Sequence, residues 1–229
     1  IVLGVFYFIN NEVANAPAGD EVKKEGGSGE FCFAKFSEPN KNGYFDRYIL
    51  RLIIDGETAK GELDFLQAEK DMKTGEFEGK IDATNQSIGT KEANLWWYTV
   101  AEGMSAKEEL KIKFNDQKAN VGAGELVDRG DGVYVYKNPG NISYTLGLNS
   151  LSCELLAERA NVETFLQENI GDLSPVDPVL GGSWYVVSTI LNTDKKTGTV
   201  IYEDGHIQEK KDFTYTTGKE GEIINLIIK

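Results

Sequence analysis

Histidine and cysteine are scarce in this chain of 229 residues, which contains one histidine, His206, and two cysteines. The usual zinc sites use several histidine or cysteine ligands, and no CxxC spacing occurs here, so we expect no metal. The sequence also lacks GxSxG, GxGxxG and P-loop motifs. These absences predict a protein that is not an enzyme and needs no cofactor. A carboxylate-based hydrolase is a more distant alternative, because 37 acidic residues offer many possible pairs.

Basic residues are in the minority, with 24 Lys and Arg against 37 Asp and Glu and a net charge of −13. Nucleic-acid binding needs clustered basic side chains that replace the counterions of the phosphates. Anionic lipid surfaces make the same demand. We therefore expect no nucleic-acid partner and no membrane contact through the folded domain.

A hydrophobic run long enough to span a bilayer, about twenty residues, is absent. The chain opens instead with nine nearly unbroken apolar residues, IVLGVFYFI. We interpret residues 1–9 as the end of a membrane anchor or signal segment, with a first β-strand as the alternative, and residues 10–30 as a flexible tether. Acidic residues precede the first lysine, Lys23, which by the positive-inside tendency places the following domain outside the cytoplasm. The expected location is the cell envelope, with membrane contact only through the N-terminal segment.

Proline is also rare, five residues against 25 glycines, which favours tight turns over disordered linkers. Between residues 31 and 137, short apolar runs alternate with turn signals such as Asp55–Gly56 and Glu102–Gly103. Eight strands are predicted, namely FCFAKF, FDRYILRLII, ETAKGELDFL, EFEGKID, NLWWYTVA, AKEELKIKF, ANVGAGEL and VYVYK. With no crossover helix between them, they predict a mainly β fold with an eight-strand antiparallel barrel over residues 31–148. Its interior would take side chains or one small ligand.

The pattern changes in residues 149–229. SLSCELLAERANVETFLQENIGDL has apolar residues at helical intervals and predicts a short helical spacer of one or two helices. After the connector SPVDPVLGG, four further runs predict a β-meander. Two of these runs, WYVVSTIL and IINLII, are apolar on both faces. We therefore expect the meander to pack on the helix and the barrel.

The two cysteines, Cys32 and Cys153, bracket most of the predicted barrel. Outside the cytoplasm an even number of cysteines permits a disulfide. The alternative is a pair of buried free thiols.

The stretch LWWYTVA contains adjacent tryptophans that must point to opposite faces of one strand. Trp96 and Tyr98 share one face, and this aromatic face either lines a ligand cavity or fills the barrel core. On the next strand Glu108 falls on the inward side with Leu110. Glu108 is thus either a charge at the barrel rim or a polar anchor at a cavity mouth. Trp96, Tyr98 and Glu108 are the candidate ligand-binding residues.

FCF, LRLIIDGETAKGELDFLQAEKDMKTGEFEGKI, YTVAEGMSAKEELKIKF and VGAGEL together resemble a group of uncharacterised bacterial membrane-anchored or lipoprotein-type β-barrel domains. The resemblance covers about residues 31–130. The later GGSWYVVS is similar to the glycine-x-tryptophan start of lipocalin-like barrels and of META-type envelope domains. These resemblances imply an envelope protein of lipocalin-like build and no assigned ligand.

The leading hypothesis is thus a non-catalytic extracytoplasmic domain that binds a small hydrophobic ligand or an envelope component. The alternative is a structural or protein-interaction module whose barrel is packed solid.

Overall fold

The computed structural model describes residues 28–68, 70–87, 89–219 and 221–229. The predicted anchor, residues 1–9, and residues 10–27 of the predicted tether lie outside the described residues.

The protein is mainly β, with a closed antiparallel barrel, one helix and a separate four-stranded sheet. Within the described residues no helix combines the length and apolar composition needed to cross a membrane. The elements are β1 Gly29–Phe36, β2 Arg47–Asp55, β3 Thr58–Leu66, β4 Lys73–Ser87, β5 Thr90–Ala101, β6 Met104–Phe114, β7 Lys118–Ala123, β8 Leu126–Asp128, β9 Val133–Tyr136, β10 Ser143–Leu151, α1 Cys153–Leu173, β11 Tyr185–Asn192, β12 Thr197–Glu203, β13 Gln208–Thr217 and β14 Ile223–Ile228.

The barrel has the predicted eight antiparallel strands, in the order β5, β4, β3, β2, β1, β10, β7 and β6, and the pairing of β5 with β6 closes it. One strand of the prediction is wrong. VYVYK does not enter the barrel, because Val133–Tyr136 forms a hairpin with β8 and pairs in parallel with β6. The eighth position belongs to β10, which lies between β1 and β7. Barrel closure requires a strand that can pair with both of these neighbours, and only β10 does so in the described structure.

Two tight turns set the register of the barrel hairpins. Asp55 pairs with Thr58 across a two-residue turn. Gly56 has a φ of 60° and the φ of Glu57 is negative, as in a type II′ turn. Ala101 pairs with Met104, and both turn residues, Glu102 and Gly103, have positive φ, 50° and 75°. This is the pattern of a type I′ turn, whose twist matches that of the flanking strands.

Side chains fill the barrel interior. Every barrel strand contributes its inward-facing residues to one continuous core, as a side-chain period of two requires. The buried members are Phe33, Leu50, Leu52, Ile54, Ala59, Leu63, Phe77, Ala93, Leu95, Trp97, Leu110, Ile112, Phe114, Ala119, Val121 and Leu148. Further apolar side chains, among them Phe65 and Leu146, pack against this set.

The helix α1 follows the last barrel strand almost directly. Ser152 caps it, because its hydroxyl accepts a hydrogen bond from the backbone N–H of Leu155. Cys153, the first helical residue, is disulfide-bonded to Cys32 of β1. The disulfide is therefore formed, and it holds the N-terminal end of the helix against the outer wall of the barrel.

The C-terminal meander has the predicted four strands in the order β11, β12, β13 and β14. One face of this sheet packs on the helix around Val162, Leu166 and Ile170, and these residues form a second core with Trp184, Val200, Tyr202, Phe213, Tyr215, Leu226 and Ile228. The sheet also contacts the loop between β1 and β2, where the hydroxyl of Ser188 donates to the carbonyl of Gly43 at 2.9 Å. Gly43 has a φ of 85°, in the left-handed region that favours glycine, and a Cβ there would lie 2.0 Å from Cδ1 of Ile201.

Candidate ligand-binding groove

Trp97, not Trp96, points into the barrel. On β5 the buried residues are Ala93, Leu95, Trp97 and Thr99, whereas Tyr98 is 41% exposed. Trp97 lies opposite the buried Phe77 of β4, and its indole N–H donates to the carbonyl of Gly75 at 2.9 Å. The expectation that Trp96 and Tyr98 line the interior is therefore wrong, because the register of the hairpins gives the inner face to the odd-numbered residues of this strand.

Glu108 lies on the inner face of β6, directly opposite Trp97. Its carboxylate accepts a hydrogen bond from Lys73 at 2.6 Å and another from the hydroxyl of Thr99 at 3.3 Å. The ammonium of Lys73 also lies 4.9 Å from the centre of the Trp97 ring. Glu108 thus forms an ion pair with Lys73 beside Trp97. Lys73 supplies the opposite charge that a partly buried carboxylate needs.

Trp96 and Tyr98 form a ladder on the outer face of the barrel. The ammonium of Lys107 lies 5.1 Å from the centre of each ring, and the Tyr98 hydroxyl donates to Glu78 at 2.8 Å. Trp96 also lines an open depression of about 540 Å³ that is bordered by lysines and acids of β3 and β4. The structure therefore keeps two of the candidate residues together but separates them from Glu108 by the barrel wall.

A second groove of about 540 Å³ lies between α1 and the outer face of β1, β2 and β3. Its apolar surface comes from Ile49 of the barrel and from Leu156, Ala157 and Ala160 of the helix. Small side chains at 157 and 160 leave space between helix and barrel, and the disulfide Cys32–Cys153 lines the groove as well. Volumes of this size and apolar walls with a few polar groups are typical of small-molecule sites.

Charged residues surround these apolar walls. Glu30 pairs with Arg51, and Glu163 pairs with Arg47 at 2.6 Å. Arg159 is buried, lies 3.4 Å from Glu163 and packs over the Phe36 ring at 4.3 Å. Burial lowers the pKa of Arg159, and the carboxylate of Glu163 opposes this shift.

Three buried polar atoms of the groove make no hydrogen bond to the described residues; Arg159 Nε and Glu163 Oε1 lie 3.4 Å apart as an ion pair, and the third belongs to Asp64. Its Oδ1 atom is buried and has no hydrogen-bond partner among the described residues. Burial raises the pKa of Asp64 to about 6, the negative charge of Glu62 adds to this effect, and Arg47 opposes it. An unsatisfied buried oxygen and a strongly shifted carboxyl in a cleft are features of ligand sites.

One group of side chains resembles a metal site by proximity alone. The ligand atoms of Glu30, Cys32 and Cys153 lie within 4.8 Å of one another. Both sulfurs belong to the disulfide, so neither is a thiolate that could bind a soft metal. We assign no metal to this cluster.

The groove was not predicted from the sequence, although the pattern of β3 indicates on which face of the barrel Asp64 lies. The alternation that places Leu63 inside the barrel puts Glu62 and Asp64 together on its outer face. The helix that covers this face is not visible in the local pattern of β3. No protein-family model, no curated protein and no solved structure matches this chain.

Proposed function

We propose that this protein is a non-catalytic extracytoplasmic binding domain that holds a small hydrophobic ligand or envelope component in the groove between α1 and the barrel. The observation that carries the proposal is the apolar groove with Asp64 as a partly buried, unsatisfied carboxyl at its wall. The filled barrel core favours a site on the outside of the barrel over a lipocalin-type interior site. The disulfide supports an oxidising compartment, because disulfides are rare in the cytosol.

The test is a groove-filling substitution in the full chain, Ala157→Trp. Ala157 is exposed at the groove, so the indole can occupy the ligand space without disturbing a core. We expect the wild-type protein to bind the uncharged fluorophore N-phenyl-1-naphthylamine, and we expect the substitution to weaken binding at least tenfold. Displacement by a panel of apolar compounds then ranks the ligands.

Thr164→Trp is the matched control, because it places the same side chain at an exposed position of the same helix outside the groove. It should bind the fluorophore like the wild type. If Ala157→Trp retains full affinity, the groove is not the site. If the wild type binds neither the fluorophore nor any compound of the panel, the binding function itself is wrong.

A second function, a protein-interaction module, is favoured by exposed apolar side chains near the end of β5. Tyr98 and Val100 are 41% and 48% exposed and share the outer face of this strand. Exposed apolar patches of this kind mark interaction sites. Trp96→Ala tests the outer face in the fluorophore assay: we expect it to leave groove binding unchanged, whereas loss of fluorophore binding in this variant alone would place the small-molecule site at Trp96 and Tyr98.

A further inference from the structure

The charges of the groove do not balance. The arginines that line or border the groove are in ion pairs: Arg51 pairs with Glu30, and Arg47 and Arg159 share the carboxylate of Glu163. Glu62 and Asp64 lie two residues apart on the outer face of β3, and neither is held in an ion pair among the described residues. The groove therefore presents two neighbouring carboxylates without an ion pair in the described structure, and Arg47 offsets the charge of Asp64 only in part.

Asp64 is placed to bind a cation from within the groove. Its Oδ1 atom is shielded from solvent and accepts no hydrogen bond from the described residues. Buried carboxylates are normally paired or hydrogen-bonded, because an isolated buried charge is costly. The Asp64 side chain lines the groove, so an ammonium group bound there would supply the opposite charge that this carboxylate lacks.

Apolar surface lies directly beside this carboxylate. Ile49 is the cross-strand partner of Asp64 in the register of β2 and β3. Leu156 and Ala157 of α1 face the same groove. A ligand with an apolar body and a cationic end would thus bury the body against the helix and bring the end to Asp64.

We propose that the groove selects small amphipathic cations, and that the carboxylates of Asp64 and Glu62 bind the ammonium group of the ligand. This inference rests on the proposed function and specifies its ligand class. Charge complementarity favours an amine over a fatty acid, because a ligand carboxylate would add a third negative charge beside Glu62 and Asp64.

The pairings of the groove's own cations support the choice. Arg159, the most buried of them, already lies against Glu163 and the Phe36 ring. Arg51 is bonded to Glu30. An anionic ligand would compete with Glu163 or Glu30 for these arginines, whereas an ammonium ligand would not.

The experiment compares decylamine, decanol and decanoate, which share one chain length and differ in charge, by calorimetric titration of the full chain at pH 7.5. We expect decylamine to bind at least tenfold more tightly than decanol, and decanoate to bind most weakly. Asp64→Asn should reduce the affinity for decylamine about tenfold or more, as expected for a lost hydrogen bond to a charged group. Its affinity for decanol should not change.

The affinity for decylamine should also fall as the pH is lowered from 7.5 to 5, because Asp64 takes up a proton in this range. The charged groups on the elements around Asp64 are Glu62 on its own strand, Arg47 and Arg51 on β2, Glu76 on β4, Glu30 on β1, and Glu154, Arg159 and Glu163 on α1. Asp64→Asn should remove most of the pH dependence. Asp116→Asn, the same change in the exposed turn between β6 and β7, should leave both affinity and pH dependence as in the wild type.

The outcomes separate this inference from the proposed function. Equal affinities for the three compounds, all lost in Ala157→Trp, would overturn the cation selectivity and leave the groove as the binding site. Amine binding that Asp64→Asn does not weaken would also overturn the inference. If none of the three compounds binds the wild-type protein, the proposed function fails together with it.

Discussion

Asp64 is a residue whose charge the folded protein tolerates poorly. Burial and the neighbouring Glu62 raise its pKa from the ordinary 3.8 to about 6. Between these two values the folded state binds more protons at this residue than the unfolded state does. The contribution of Asp64 to the free energy of unfolding therefore falls as the pH rises through this window. The destabilisation by its ionised carboxylate reaches its full value above pH 6. A stability cost at a polar residue of a groove is the pattern expected of a functional site.

This linkage predicts that Asp64→Asn stabilises the protein at neutral pH. The amide has a similar shape and carries no charge, so the gain should be about 1 kcal/mol at pH 7.5 after allowance for solvent screening. At pH 4 the gain should be much smaller, because the wild-type carboxyl is then protonated in the folded state. Urea unfolding at both pH values measures the difference. An equal gain at both pH values, or a loss at pH 7.5, would contradict the shifted pKa.

Glu158 is also a carboxylate at the helix, but its partners make it structural. The Tyr215 hydroxyl donates to it at 2.6 Å, and Lys196 is bonded to its other oxygen. Burial opposes the negative charge of Glu158, but these hydrogen bonds outweigh burial and hold its pKa below the usual range. Glu158 therefore has the partners of a structural carboxylate, whereas Asp64 has no ion-pair partner among the described residues.

At the scale of elements, α1 lies between the C-terminal sheet and the barrel. One side packs on the C-terminal sheet through Val162 and Leu166, and the other faces the barrel across the groove. The disulfide connects the start of the helix to β1 over a sequence separation of 121 residues. A covalent bond thus fixes the start of the helix to the barrel at the edge of the groove.

Removal of this bond should lower stability strongly. In the chain-entropy model a cross-link over a loop of this length contributes about 4–5 kcal/mol. We expect the double variant Cys32→Ala, Cys153→Ala to lose a large part of that in denaturant unfolding. Chemical reduction of the wild type should produce a similar loss and should leave the double variant unaffected. Unchanged stability in both experiments would show that the bond constrains neither the folded nor the unfolded chain.

At the scale of the whole molecule, the protein has two separate hydrophobic cores. The first fills the barrel, and the second lies between α1 and the C-terminal sheet. Leu63 belongs to the first and Leu166 to the second, and both are fully buried. Each core should therefore stabilise its own unit more than the other.

Matched truncations test this division. Leu166→Ala should destabilise the helix–sheet unit by about 2–5 kcal/mol, the usual cost of such a cavity, and should raise amide hydrogen exchange in β12 and β13. Leu63→Ala should give the reverse pattern, with faster exchange in β2 and β3. If either substitution accelerates exchange equally in both units, the two cores unfold as one cooperative structure.

Much of the fold is encoded in short segments. The alternation of apolar and polar residues and the turn signals predicted seven of the eight barrel strands, the helix and all four strands of the meander. The same reasoning predicts the inward orientation of Trp97. A turn at Glu102–Gly103 sets residue 97 opposite residue 108, and cross-strand partners share a face, so an inward Leu110 requires an inward Trp97.

The sequence by itself thus determined the secondary structure and the barrel class, because these follow from side-chain period and turn chemistry within a few residues. Only the tertiary structure decided that β10 rather than Val133–Tyr136 closes the barrel, because closure depends on which strand can pair with both β1 and β7. The tertiary structure also decided where the groove lies and which residues line it. Ile49, Asp64 and Ala157 come from distant parts of the chain, and their proximity depends on how a helix packs on a finished barrel, which no local pattern specifies.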